Sequence, residues 1–187
     1  MVKAIFFDID GTLIPIGQHI MPQDTIDALK QLKKKGIKIF IATGRAMNEE
    51  VIAIQNEIGV DSHEIEPYAG NPIYQVIVYA DLQMTEKLFE KLPDCKWSRW
   101  HPKGIDVFSK NGGKMTGIEK TLEYFGISQD ETMAFGDGDN DAEMLRYVKM
   151  GVAMGNAVDT TKAAADYVTS SQDNGGIFKA LKHFGLI

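Results

Sequence analysis

Two short apolar runs in this chain each end directly in a loop of aspartate and glycine, and that pairing restricts the fold more than any other feature. Ala4-Ile5-Phe6-Phe7 runs into Asp8-Ile9-Asp10-Gly11-Thr12, and Thr132-Met133-Ala134-Phe135 runs into Gly136-Asp137-Gly138-Asp139-Asn140-Asp141. Runs of four residues are too short for a helix of their own; bounded by turn formers, they read as buried strands. Around them the chain alternates helix and strand patterns. Pro22 to Lys35 carries Ile26, Leu29 and Leu32 at helical spacing and stops at Gly36, where Ile37 to Ile41 reads as a strand. Residues 46–58 read as helix after Thr43-Gly44-Arg45. Later, 116–125 reads as helix, Ala142 to Val148 as helix, Met150 to Met154 as strand, Thr160 to Ala165 as helix and Tyr167 to Thr169 as strand. Ile177 to Phe184 reads as a last helix, capped by Asp173 or Asn174.

Such alternation specifies an α/β fold, a Rossmann-like doubly wound parallel sheet with helices on both faces. Ligands of such folds sit at the carboxyl ends of the strands. The middle of the chain differs: Tyr74 to Tyr79, Lys96 to His101 and Gly104 to Ser109 read as strands, Met84 to Leu92 as a helix, and Pro102-Lys103-Gly104 as a hairpin turn. This is a small α+β insertion, a lid or cap. The expected division is a core of 1–62 and 108–187 and a shortened cap subdomain of 63–107.

The composition narrows the partners. A net charge of −6 disfavours a nucleic-acid footprint or an acidic membrane surface. No stretch approaches a membrane span or a signal peptide. Cys95 is the one cysteine, so no internal disulfide forms, and the expected location is cytoplasmic. The expected partner is a small molecule.

Asp8 and Asp10 lie two apart, so an extended backbone would project both carboxylates to one side. Carboxylates at close quarters repel, and a divalent cation is the usual means of keeping them ionised. Magnesium suits hard oxygen ligands together with a substrate phosphate. An isolated Asp-x-Asp is a weak signal; a second acidic loop at the same sheet edge strengthens it. A calcium EF-hand is strongly disfavoured, because the twelfth position counted from Asp137 is Val148 rather than glutamate. His19, His63 and His183 have no zinc spacing. Thr43 at a strand end and Lys114 after Gly112-Gly113 could add a hydroxyl, backbone N–H groups and an ammonium for phosphate oxygens.

Taken in order, FDIDGTL (7–13), IATGR (41–45), GGKMTGIEK (112–120) and GDGDNDAEML (136–145) resemble the four motifs of the haloacid dehalogenase-like superfamily, in its Cof-type sugar-phosphatase branch. MGNAVDTTKAAADYVT (154–169) and DNGGI (173–177) extend the resemblance to the C-terminal part. The resemblance implies a magnesium-dependent phosphomonoester hydrolase acting on a small phosphate ester, with sugar phosphates favoured. Asp8 would be the nucleophile and a magnesium ligand. Asp10 would be the general acid and base, binding the metal through its backbone carbonyl, and Asp137 would complete the protein ligands. Thr43, Gly44, Lys114 and Asn140 would bind phosphate, and Asp141 would orient metal-bound water or Lys114 from behind the ligands. Asp10 in place of a non-acidic residue favours phosphoryl transfer over carbon–halogen cleavage.

The middle segment resembles only the later part of a Cof-type cap, through IYQVIVYAD (73–81) and KWSRWHPKGIDVF (96–108). Residues 59–64 run almost directly into it, so much of the cap is missing. A cap excludes water and selects the leaving group. Two further readings therefore remain: a weakly active or non-catalytic phosphate-binding remnant, and a signalling domain that stores an aspartyl phosphate. The latter is disfavoured because GDGDND follows Lys114 instead of preceding it. Trp97, Arg99, Trp100 and His101 could touch substrate, although hairpin aromatics more often pack against a helix. Apolar surface left by a short cap makes a homo-oligomer possible.

Overall fold

The computed structural model describes residues 1–44, 75–101 and 103–187. The helix expected over 46–58, the start of a strand at Tyr74, His63, Pro102 and the expected 62/63 division lie outside these residues. In chain order the described elements are β1 (Ala4–Phe7), α1 (Gln23–Lys34), β2 (Lys38–Ile41), β3 (Gln75–Val78), α2 (Leu82–Phe89), β4 (Cys95–His101) and β5 (Gly104–Ser109). There follow α3 (Lys114–Phe125), β6 (Thr132–Gly136), α4 (Ala142–Tyr147), β7 (Met150–Ala153), α5 (Asp159–Ala164), β8 (Tyr167–Val168) and α6 (Gly176–His183).

The first sheet is parallel throughout, in the order β2-β1-β6-β7-β8. Its strands are short apolar runs because both faces are covered. Alternate residues go to opposite sides, as the two-residue period of a strand requires. Ile5, Phe7, Met133, Phe135 and Val152 join a core that includes Ile26, Leu29 and Leu32 of α1 and Ile177, Ala180 and Leu181 of α6. Ala4, Phe6, Ala134 and Ala153 join a second core with Ile118 and Leu122 of α3 and Met144 and Leu145 of α4. Full burial of a side chain such as Leu29 or Leu32 contributes about 1.5–3 kcal/mol each, and these are completely buried.

The strand order reverses between β1 and β6: the chain leaves β1 toward β2 on one side and returns, after the insertion, to β6 on the other. Strand carboxyl ends at such a switch point form a crevice. Phe7 is in register with Ile41 and with Phe135, so the loops after β1, β2 and β6 emerge at one level. Backbone bonds from Asp8 N–H to the Phe135 carbonyl (3.1 Å) and from Ala42 N–H to the Phe7 carbonyl (2.8 Å) carry that level past the strand ends.

The insertion forms a second, antiparallel sheet in the order β3-β5-β4. The hairpin of β4 and β5 closes with His101 opposite Gly104. The expected 107/108 division falls inside β5. Among the described residues, no helix is long and apolar enough to cross a membrane.

Several element ends differ from expectation for local reasons. Helix α3 begins at Lys114 rather than at 116, because Gly113 at φ 103° turns the chain and the next residue is already helical. Helix α2 begins at Leu82, not Met84, since the Asp81 carboxylate accepts the Met84 N–H at 2.8 Å and caps the first turn. Neither Asp173 nor Asn174 caps α6. Both lie in a 3-10 turn, and Gly175 in the left-handed region (φ 68°) occupies the cap position.

Candidate active site

Asp8 is the first residue past β1 and is buried. Asp137 is the first past β6, also buried, and the two strands are neighbours. Asp141 sits four residues on, at the start of α4, and is completely buried. Carboxylate oxygens of Asp8, Asp137 and Asp141 all lie within 4.8 Å of one another. Gly136 permits this crowding: a Cβ there would collide with the Asp141 side chain. Gly11 does the same from the other loop, where φ is 81° and a Cβ would run into the Asp137 carboxylate.

Lys114, first residue of α3, reaches between two of the acids. Its Nζ donates to Asp8 Oδ1 at 2.5 Å and to Asp141 Oδ1 at 2.6 Å, and side-chain exposure is 7% for the lysine, 10% for Asp8 and 1% for Asp141. The other Asp141 oxygen accepts the backbone N–H groups of Asp137 (2.8 Å) and Gly138 (2.9 Å). Asp141 is thereby satisfied from both ends, and it fixes Lys114 against Asp8.

Burial pushes the Asp8 carboxyl up to about 7; Lys114 works against that rise, and Asp141 and Asp137 add to it. Burial likewise raises Asp137 to about 6, with the Thr12 hydroxyl opposing and Asp141 and Asp10 adding. Burial alone would lower Lys114, but Asp8 and Asp141 outweigh it and hold its pKa above the ordinary lysine value. Among the described residues, one ammonium stands among three buried carboxylates, which leaves a formal excess of two negative charges. A divalent hard cation is the natural complement to such a donor set. Asp8, Asp137 and Asp141 are close enough together to hold such an ion, and of the three Asp141 already spends both oxygens on Lys114 and two backbone N–H groups.

Asp10 is exposed and lies outside this group of three, although it is near enough to help raise Asp137. Its backbone makes a bridge to Ile14 that shapes the turn. Thr43, Gly44, Lys114 and Asn140 all line one cleft of about 1320 Å³ between the two sheets, while Asp8 and Asp137 do not line it. Across the cleft stand Gln75, Ser98, Arg99 and Asp106 of the small sheet, with Trp97. Gln75 Nε2 donates to the Gly44 carbonyl at 2.9 Å, and Lys96 Nζ pairs with Glu143 of α4 at 2.7 Å. Trp97 both lines the cleft and packs on Phe89 of α2, ring centroids 6.1 Å apart. Arg99 is turned to the insertion's own frame, donating to the Ala80 carbonyl (2.9 Å) and Thr85 Oγ1 (2.6 Å). The side chains of Trp100 and His101 lie outside the described ones.

Two polar residues went unread in the sequence. Thr12 Oγ1 donates to Asp137 Oδ1 at 2.7 Å across the buried interior of the site. Asn156 Nδ2 donates to the Gly11 carbonyl at 2.8 Å and reaches Asp137 Oδ2 at 3.4 Å. Both lie in segments of the resemblance, DIDGT and MGNA, and a polar side chain one or two residues from a glycine at a strand end was the available signal.

The family model for haloacid dehalogenase-like hydrolases matches residues 5–73 and 59–181. The chain is 28% identical to YkrA of Bacillus subtilis over 255 positions, covering 99% of this chain and 98% of that protein. Since this chain has 187 residues, at least 68 positions of that alignment have no residue of it opposite. It is 24% identical to YcsE of Bacillus subtilis, a 5-amino-6-(5-phospho-D-ribitylamino)uracil phosphatase, over 99% of this chain and 96% of that one. Among solved structures, a haloacid dehalogenase subclass IIB sugar phosphatase superposes with a TM-score of 0.86 at 32% identity, covering 100% of both chains. With two acidic loops converging on one lysine at the switch point of a parallel sheet, and with these matches along its length, the chain belongs to the haloacid dehalogenase-like hydrolase family.

Proposed function

We propose that this enzyme is a magnesium-dependent phosphatase that hydrolyses small phosphorylated metabolites, sugar phosphates among them, in the cytoplasm, through an aspartyl phosphate on Asp8. The observation that carries the reading is the buried Asp8–Lys114–Asp141 contact beside Asp137, whose lysine also lines the cleft together with Thr43, Gly44 and Asn140. A magnesium ion held by Asp8, Asp137 and the Asp10 backbone carbonyl would neutralise phosphate charge and so permit attack by a carboxylate.

Within that arrangement an Asp8 oxygen attacks phosphorus and the bond to the ester oxygen breaks. Asp10 gives its proton to that departing oxygen. Water then attacks the aspartyl phosphate, Asp10 takes the water's proton back, and inorganic phosphate leaves with Asp8 restored. Exposure of Asp10 suits this exchange, because the group must meet first a leaving alcohol and then water. Lys114, Thr43, Gly44 and Asn140 would bind the transferred group's oxygens, and Asp141 holds Lys114 in line for that work.

Residues 63–107 would act as a shortened cap over a core of 1–62 and 108–187. Polar groups on the insertion side of the cleft suit a hydroxylated leaving group. The 32% identity to a sugar phosphatase and the phosphorylated ribityl chain named for YcsE support the same class. The shortfall against YkrA favours a second reading, in which phosphate binds with weak turnover or none. Purified protein given magnesium and an aryl phosphate decides: turnover that is lost in Asp8→Asn, with the fold kept, supports the first reading. Equal activity in both proteins removes Asp8 as nucleophile, and binding of phosphate without turnover on any phosphorylated metabolite of a broad panel favours the second.

A further inference from the structure

We infer that Asn156 is a positioning residue that ties the turn after β1 to Asp137 and thereby sets the affinity of the site for its metal. The inference rests on the proposed assignment of Asp137 to magnesium. Asn156 lies just past β7, on a segment anchored to the neighbouring strand by the bond from Met154 N–H to the Gly136 carbonyl (3.0 Å). Its side chain works at both ends. The amide nitrogen donates to the Gly11 carbonyl at 2.8 Å and reaches Asp137 Oδ2 at 3.4 Å, while Oδ1 accepts the Gln172 backbone N–H at 3.2 Å.

Only one orientation of the amide satisfies these partners. Reversed, it would set its oxygen against a carbonyl and a carboxylate and its NH2 group against an N–H donor. The Gln172 contact therefore determines which atom faces the site. Asp137 is then held on both oxygens, Oδ1 by Thr12 (2.7 Å) and Oδ2 by Asn156. Thr12 follows Gly11 directly, so the turn after β1 grips Asp137 twice, once by its own hydroxyl and once through Asn156. The Gly11 carbonyl belongs to the peptide that joins Gly11 to Thr12, so the same amide holds the backbone from which the Thr12 hydroxyl reaches Asp137.

A neutral donor is the residue type this position needs. A lysine or arginine would bring a permanent cation to compete with a divalent ion for the Asp137 charge, and an aspartate would add another carboxylate to a cluster already short of positive charge. An amide orients the acid and leaves its charge for the metal. Partners that orient metal ligands in this way are worth about 10–100-fold in affinity or activity.

The test compares wild type, Asn156→Ala, Asn156→Ser and Asp137→Ala, using magnesium alone as the ligand and titration calorimetry as the readout. Magnesium dependence of turnover is recorded alongside. We expect Asn156→Ala to bind magnesium at least about tenfold more weakly, with the half-saturating concentration for turnover moving in parallel and kcat at saturating magnesium falling less. Asn156→Ser, which keeps one short donor, should fall between, and it carries the comparison if the alanine variant does not fold. A role in folding alone would lower the melting temperature of the metal-free variants and leave the dissociation constant within twofold of wild type; that result, with Asp137→Ala binding-deficient, overturns the inference. If Asp137→Ala binds magnesium as well as wild type does, the assignment of Asp137 to the metal fails and the inference with it.

Discussion

Replacing Lys114 by alanine or methionine should destabilise the protein by an amount that depends on pH in a definite direction. The ammonium stands 2.5 Å from one Asp8 oxygen and 2.6 Å from one Asp141 oxygen, in a space where none of the three side chains is more than 10% exposed. Removing it takes away the cation that the described residues place among three clustered carboxylates. Breaking a buried ion pair by deleting one partner costs about 3–5 kcal/mol. At roughly 2–4 °C per kcal/mol for a chain of this size, the melting temperature should fall by about 6–20 °C near pH 8. The pH dependence follows from Asp8 and Asp137, whose folded pKa values of about 7 and about 6 stand above the ordinary 3.8 even with Lys114 present. A carboxyl raised on folding binds more protons in the folded state than in the unfolded one between those limits, so its contribution to stability falls as pH rises through that window. Without Lys114 both values move higher still. The deficit should therefore shrink between pH 8 and pH 5, as urea titrations at each pH would register. Lys114→Met, which retains much of the side-chain volume, should behave like Lys114→Ala. An equal deficit at both pH values, or a methionine variant as stable as wild type at pH 8, would show that packing rather than charge compensation is the lysine's contribution.

Magnesium should raise the melting temperature of the wild type more at pH 8 than at pH 5, since protonated Asp8 and Asp137 compete with the ion at the lower pH; differential scanning fluorimetry would detect it. Gly11→Ala should lose about 1–2 kcal/mol from its backbone conformation alone, and more from displacement of Asp137, so both magnesium affinity by calorimetry and stability should drop. Leu29→Ala, in the core between α1 and the sheet, should cost about 2–5 kcal/mol in urea denaturation while leaving KM for an aryl phosphate unchanged, because it lies away from the cleft.

The fold was legible because its strands are short, apolar and flanked by glycine and aspartate, and because α1 buries one regular stripe of Ile26, Leu29 and Leu32. Boundaries set by a single backbone angle or side-chain cap were less so. Gly113 starts α3 two residues earlier than the apolar pattern around Ile118 suggests, and that shift makes Lys114 the first helical residue. Convergence of Asp8, Asp137, Asp141 and Lys114 depends on strand order, which periodicity within single elements does not encode; the resemblance to the family supplied it. Thr12 and Asn156 escaped notice because their partners are 125 and 145 residues away along the chain. A hydroxyl or an amide in a loop has too many local explanations for sequence alone to choose such a distant one.

The most direct test is to quench a single turnover with acid, reduce the protein with borohydride and map the digest by mass spectrometry. An acyl phosphate on Asp8 is converted to homoserine at that position, and we expect this change on the peptide spanning residues 4–30, in the presence of magnesium and substrate and absent in Asp8→Asn. Full turnover with Asp8 unmodified at every quench time, or the modification on Asp10, Asp137 or Asp141 instead, would contradict the assignment of Asp8 as the phosphoryl acceptor.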